Sequence, residues 1–258
     1  LAAILARLAE LSGPNAVEQV VAGLTGADAS FALTSAFPRA GDVLFFPNPL
    51  GGGPAQGANV KELKKVALLS EQGFRRRLAG QSLGDILAAS SKGVSLNAGS
   101  AWVADKDRSG LPGTLAAGGS AWSVDRQPRV TVDRLTAKAT PFQAGRTPFA
   151  HDCGLWFGIA WHDRTHEALI QDALLDLGHT GLGGERGAGF GASEFDQSGQ
   201  LELPDPTPTG LWSSLGRYWP QKDEVSALAG AGASYSIQPV GGWIGSLDYN
   251  GQRRKRVH

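Results

Sequence analysis

The sequence predicts an α+β fold of the split βαβ, ferredoxin-like kind, on three observations. Leu1, Ile4, Leu5, Leu8 and Leu11 recur at helical spacing until Gly13-Pro14 stops them, so an amphipathic helix comes first. Residues 153–161 read as a strand buried on both faces, because Leu155, Phe157, Ile159 and Trp161 alternate with Trp156, Gly158 and Ala160. A second helix follows, and a glycine-rich loop leads from it into strand-like segments. Strand, helix, glycine loop, strand, with a helix and a strand upstream, is the order of a ferredoxin-like domain that lacks its first strand and carries a long insertion.

After the opening helix, residues 16–24 continue as a weaker helix. Residues 31–46 are extended, with breaks at Pro38 and Gly41, and FFPNPL (45–50) runs from strand into loop. Residues 51 to about 130 are rich in Gly, Ala and Ser, with helical pieces at 60–69 and 74–78, and read as an irregular surface insertion. Thr165 is placed to cap the helix whose face is Leu169, Ile170, Ala173, Leu174 and Leu177, and Gly178 stops it. GASEF and QLEL, on either side of the turn DQSG (196–199), read as strands leaving the glycine loop. From Pro204 onward, proline-rich linkage, a Trp/Tyr-bearing stretch at 211–220 and a hairpin at 234–249 predict a second α+β unit, also cut short. The expected organisation is a domain at 1–203, with its insertion at about 51–150, and a second at 204–258. The chain opens on a helix, ends in QRRKRVH and contains no methionine, and it reads as a fragment.

Composition narrows the function classes. The 24 Lys+Arg and 24 Asp+Glu cancel, so affinity for a polyanion has to come from local clusters. One cysteine, Cys153, excludes an internal disulfide framework and fits a reducing cytoplasm. No apolar run reaches the ~18 residues of a membrane-crossing helix.

The most unusual segment is HTGLGGERGAGFG (179–191), with six glycines in thirteen positions. It lacks the GK[ST] of a Walker loop. Gly187, Gly189 and Ala192 fit G-x-G-x-x-A, but a dinucleotide loop runs from strand into helix, and this one runs from helix into strand. No nucleotide cofactor is predicted. Two readings stand: a cradle for a sugar-phosphate backbone, built of exposed N–H groups and Arg186, or a connection that needs glycine for its own packing.

The other motifs say less. DKDRSG (105–110) echoes a calcium loop but has Ala116 where a bidentate Glu belongs, so it reads as a surface turn. His162 and His166 straddle a helix start without metal-ligand spacing, and no metal is predicted. His179 abuts the glycine loop, where it suits either contact with a nucleic acid or a solvent-facing helix end. Basic clusters lie at Lys61, Lys64 and Lys65, read as one helix face, at Arg75, Arg76 and Arg77, and at Arg253, Arg254, Lys255 and Arg256. Phe74, Tyr218, Trp219 and Trp243, interleaved with them, suit base stacking or core packing.

LGHTGLGGERGAGFGASEF (177–195) resembles the glycine-loop signature of the RAMP superfamily of CRISPR proteins, in particular the subunit-four group of type III-A Csm complexes, whose pattern is close to LGDTGIGGERSSGKGxFE. SAFP, FFPNPL, KELKKV, PRVTVDRLTAKATPF (128–142), GLWFGIAW, GRYWPQKDE and GGW agree with that group in the same order along nearly the whole chain. The resemblance implies RNA-recognition-motif-like ferredoxin domains with a thumb hairpin in the insertion. It implies a non-catalytic, cytoplasmic antiviral-defence subunit, without cofactor, that grips the 5′ handle of the guide crRNA. Its implied partners are the large polymerase-like subunit and the first Csm backbone subunit, with the thumb reaching the duplex with target RNA.

By this resemblance Gly181, Gly183, Gly184, Glu185, Arg186, Gly187, Gly189 and Gly191 fall on the family's loop, and Asp133 with Arg134 falls on an element near the thumb. His179, Lys64 and Lys65 are further candidates for RNA contact. His179 stands where the pattern has Asp, Gly187-Ala188 where it has Ser-Ser and Phe190 where it has Lys, so backbone N–H groups and Arg186 are expected to carry more of the grip. Two alternatives remain: a repeat-processing endoribonuclease of the same superfamily acting through His179, or His162 and His166, and the equivalent subunit of a Cmr or other type III complex.

Overall fold

In the computed structural model, α1 (Ala2–Ser12) forms where the apolar spacing places it, burying Ile4 and Leu8, and ends at Gly13, whose φ of 83° suits glycine. α2 (Pro14–Ala22) starts on proline, whose missing N–H has no partner to lose there, and buries Val20. The structure describes residues 1–25, 28–51, 60–89, 92–197, 199–203 and 213–237, and the backbone of 241–245 and 253–257. Two compact units divide it: Leu1–Pro49 with Gly53–Tyr218, and Leu50–Gly52 with Trp219–His258.

The first unit is mixed α+β, as its sequence predicts, and is built on a six-stranded sheet. Its strands are β2 (Phe37–Ala40), β3 (Val43–Pro47), β4 (Leu68–Ser70), β5 (Val94–Leu96), β6 (Ala101–Val103) and β9 (Cys153–Trp156), in the order β5-β6-β4-β3-β2-β9. All neighbours are antiparallel except β4 and β6. Alternation along β3 sends Phe45 into a core with Val94, Leu96 and Val103, and Phe46 into another with Val66, Leu69 and Phe74. α4 (Glu71–Leu78) covers the second core, its Phe74 stacked on Phe46 at 4.7 Å between ring centroids.

Residues 68–103, irregular by sequence, thus supply three strands of the main sheet as well as α4 and α5 (Leu83–Ala89). Those strands have three residues each, too short for periodicity to reveal; pairing and burial define them. The strand expected at 153–161 is two: β9 joins the main sheet, while β10 (Ile159–Trp161) pairs with β1 (Phe31–Leu33) in a separate sheet. Gly158 and Thr34 mark the crossover, with Gly158 N–H donating to Thr34 Oγ1 at 2.9 Å and Thr34 N–H to Gly158 O at 3.0 Å. Both strands are half-buried at most positions rather than buried on both faces.

α6 (Glu167–Thr180) turns Ile170, Ala173 and Leu177 toward Ile4 and Leu8 of α1, and the Arg7 guanidinium bonds Asp176 between the two helices. Its N-cap is His166, one residue later than the predicted Thr165, whose hydroxyl instead donates to Asp163 Oδ1 at 2.7 Å, and it runs on past the predicted stop at Gly178, which is buried within it, to Thr180. The described residues within 192–203 form no strand where GASEF and QLEL suggested two. Among the described residues these short segments find no ladder partner; Phe195 and Leu201 pack against the cores, and Ser193 N–H is satisfied by Gly178 O at 3.0 Å.

β7 (Asp125–Val132) and β8 (Ala139–Arg146) make a hairpin paired along its whole length, from Asp125 opposite Arg146 to Val132 opposite Ala139. In the second unit α7 (Val225–Leu228) is followed by β11 (Gly241–Gly245) paired with β12 (Arg253–Val257). The predicted hairpin therefore lies further along, with the basic run as its return strand.

Candidate nucleic-acid interface

The glycine loop has a base and a tip that use glycine for different reasons. At the base, Gly181 ends α6 at φ 84°, and Leu182 N–H donates to Gly191 O at 2.9 Å, closing residues 182–191 into a ring. A Cβ on Gly191 would lie 2.1 Å from Leu182 O, one on Gly181 2.7 Å from Phe190 O, and one on Gly178 2.5 Å from Ser193 O. Backbone packing against backbone requires these three glycines.

The tip is different. A Cβ on Gly183, Gly184, Gly187 or Gly189 would meet nothing within 4 Å. Gly183 at φ 101° and Gly189 at φ 85° need glycine for conformation, whereas Gly184 and Gly187 need it neither for conformation nor for internal packing. Glu185 takes left-handed geometry, φ 56° and ψ 26°, and starts a 3-10 turn at Arg186–Ala188. The N–H groups of Gly183, Gly184 and Glu185 donate to no acceptor among the described residues. Arg186 is exposed, without an ion pair or hydrogen bond among the described residues. The tip thus offers free N–H donors and one free guanidinium on bare backbone, a combination suited to an anionic ligand.

Beside the loop runs the β7–β8 hairpin. Its base is held by Arg146 and Asp125 at 2.7 Å. At its end Asp133 Oδ1 accepts from Leu135 N–H at 2.8 Å and Thr136 N–H at 2.9 Å, and these bonds, Thr136's first, hold the carboxyl below its ordinary value. Asp133 is therefore occupied in shaping the turn, while Arg134 projects next to it, exposed and without a partner among the described residues. A contact the sequence did not announce joins hairpin and loop: the Arg129 guanidinium lies 4.9 Å from the centre of the Phe190 ring. A hint was present, since Phe190 is the one large ring in a segment otherwise stripped of bulk.

The remaining candidates are scattered. α3 spans only Val60–Leu63, so Lys64 and Lys65 lie in the turn after it and share no helix face with Lys61. Lys65 Nζ is 3.5 Å from Glu62 Oε1. The Arg75–Arg77 run holds structure together: Arg75 pairs with Glu71 at 2.7 Å, Arg76 Nε donates to Gln81 Oε1 at 2.7 Å, and Arg77 donates to Gln81 O at 2.7 Å. In the DKDRSG turn, Asp107 accepts from Gln72 N–H at 2.9 Å and Asp105 from Lys92 N–H at 3.1 Å, as befits a structural turn. Phe74 is a core residue. The side chains of Trp243, Arg253, Arg254, Lys255 and Arg256 lie outside the described residues.

His179 is exposed in the last turn of α6, next to the loop; His162 is exposed and His166 half-buried at the other end of that helix. None of the three forms a hydrogen bond with another acid–base side chain among the described residues. No cluster of metal-ligating residues occurs among the described residues, and no described helix is long and apolar enough to cross a membrane.

Comparison with known proteins supplies the family context. No family model matches the sequence. The chain is 31% identical over 134 residues to the CRISPR system Cms protein Csm4 of Mycobacterium tuberculosis, in strains CDC 1551 and H37Rv alike, a match covering 48% of this chain and 43% of the relative. It therefore spans less than half the length of these curated relatives. A chain of a Csm3–Csm4 subcomplex from the type III-A CRISPR-Cas interference complex superposes with a TM-score of 0.61 over 99% of this chain and 82% of that one. At 14% identity this is a likeness of fold. The resemblance to the Csm4 group is thus met by a sequence similarity over about half of the chain and by a likeness of fold over nearly all of it.

Proposed function

We propose that the chain is a non-catalytic RNA-binding subunit of a type III-A CRISPR effector complex that caps the 5′ handle of the guide crRNA. The observation that carries this reading is the division of labour in the glycine loop. The packing of the described residues accounts for Gly178, Gly181 and Gly191, but not for Gly184, Gly187, the N–H groups of 183–185 or Arg186, none of which finds a partner among those residues. A phosphate chain lying along the bare tip uses all of them. Gly181, Gly183, Gly184, Glu185, Arg186, Gly187 and Gly189 form this grip, with His179 at its edge.

The β7–β8 hairpin is the thumb in this reading, with Asp133 shaping its end and Arg134 offering charge toward nearby target RNA. Lys64 and Lys65 are outlying phosphate contacts. The subunit links the large polymerase-like subunit to the Csm backbone, and the backbone half of that role draws support from the Csm3–Csm4 origin of the structural neighbour. Residues 1–203 form its RAMP domain and 204–258 belong to a second, acting in the cytoplasm.

The test uses purified protein, cognate repeat RNA and chelator. Binding of the handle with the RNA left intact is expected. Metal-independent cutting that His179→Ala abolishes would replace this reading with the endoribonuclease one.

A further inference from the structure

We propose that Arg129 is a second RNA-binding cation of the glycine loop, contributed by the hairpin and aimed by Phe190, with a phosphodiester of single-stranded RNA as its ligand. The proposal rests on the RNA-binding reading above and adds to it a residue on a different element. Within 179–191 Arg186 is the only Lys or Arg, so the loop alone presents a single fixed positive charge. The fold brings a second. Arg129 sits on β7, opposite Phe142, and its guanidinium carbon lies 4.9 Å from the centre of the Phe190 ring, just before the Gly191 that closes the loop.

Three features separate this arginine from a structural one. It has no ion pair among the described residues, unlike Arg146 at the base of the same hairpin, which is held by Asp125 at 2.7 Å. Its Nε is buried without a hydrogen-bond partner, and its Nη groups bond no protein acceptor among the described residues, so no acceptor fixes the guanidinium. What positions it is the ring, and an aromatic face attracts the cation while leaving its N–H edges free to fork around a phosphate. Arg75, Arg76 and Arg77, in contrast, spend their donors on neighbouring side chains and carbonyls. Phe190 is thus a positioning residue, and Arg129 from the hairpin joins Arg186 of the loop's own turn as a cation without an ion pair among the described residues.

The experiment measures anisotropy of a fluorescent single-stranded RNA of the cognate 5′ handle, titrated with the full chain over a range of salt concentrations. Wild type, Arg129→Ala, Arg129→Lys and Arg186→Ala are compared. Arg129→Ala is expected to bind about tenfold more weakly, as for loss of a charged hydrogen bond. Its slope of log affinity on log salt should shrink by about 0.7, the value for one single-strand phosphate contact, while Arg129→Lys keeps the wild-type slope. Wild-type affinity and slope in Arg129→Ala, with Arg186→Ala weakened, would overturn the role of Arg129 and leave the loop reading standing. Absence of handle binding by the wild-type chain would instead overturn the loop reading itself. Phenylglyoxal labelling of the unaltered chain, read by mass spectrometry, gives a measurement free of folding effects: RNA should protect Arg129, and equal labelling with and without RNA contradicts the proposal.

Discussion

Leu182 and Gly191 approach each other more closely than any side chain at position 191 allows. Leu182 N–H donates to Gly191 O at 2.9 Å, and a Cβ on Gly191 would fall 2.1 Å from Leu182 O. Gly191→Ala therefore opens the loop. With φ at 78° adding strain, the loss is expected to be about 1–3 kcal/mol, measured by denaturant unfolding.

Gly187→Ala is the complementary case. Its φ is not left-handed and an added Cβ meets nothing, so stability should be unchanged or rise by up to about 1 kcal/mol through the unfolded chain. Handle RNA binding should nonetheless weaken, because the methyl stands where a phosphate approaches. Undiminished binding in a stable Gly187→Ala protein would mean that the tip does not meet the ligand there.

The hairpin end should respond to acid. Asp133 has its folded pKa lowered by the N–H groups of Thr136 and Leu135 and by the Thr136 side chain. Its contribution is then fully present above the unfolded value of about 3.9 and is lost as pH falls through the lower folded value. Amide exchange at Leu135 and Thr136, corrected for intrinsic rates, should stay level from neutrality to about pH 4 and rise below it. Asp133→Asn should weaken protection at neutral pH and remove the acid step.

Cys153 should be a sluggish thiol. Burial, followed by the charge of Asp152, raises its pKa above the ordinary value, and the thiolate is the reactive form. At pH 8 it should react with a disulfide reagent more slowly than free cysteine, and Asp152→Asn should recover part of the rate.

Phe46 is fully buried, stacked on Phe74 at 4.7 Å and 4.8 Å from the Trp156 ring. Phe46→Ala should destabilise the first unit by about 3–5 kcal/mol in denaturant melts, without changing the exposed loop that carries the proposed function.

The sequence announced whatever repeats over several turns. α1 and α6 follow from Leu1–Leu11 and Leu169–Leu177 spacing, and the glycine loop from composition alone. It did not announce β4, β5 and β6, whose three residues each become strands only through the ladder pairing of the folded sheet. It placed Lys61, Lys64 and Lys65 on one helix because spacing ignores where a helix stops, and α3 stops at Leu63. Within the loop, composition could not separate glycines needed by the chain from those it does not need; the 2.1 Å approach at Gly191 and the open space at Gly187 do so. The pairing of Arg129 with Phe190 was beyond reach for the same reason as the short strands, since only the tertiary fold brings them together.

The reading proposed above has the bare loop tip grip RNA through Arg186 and its N–H groups. Its most direct test is the salt dependence of handle RNA affinity for Arg186→Ala beside wild type. Arg186→Ala is expected to bind more weakly and with a slope shallower by about 0.7, the share of one single-strand phosphate contact. Affinity and slope equal to wild type in a folded Arg186→Ala protein would contradict it.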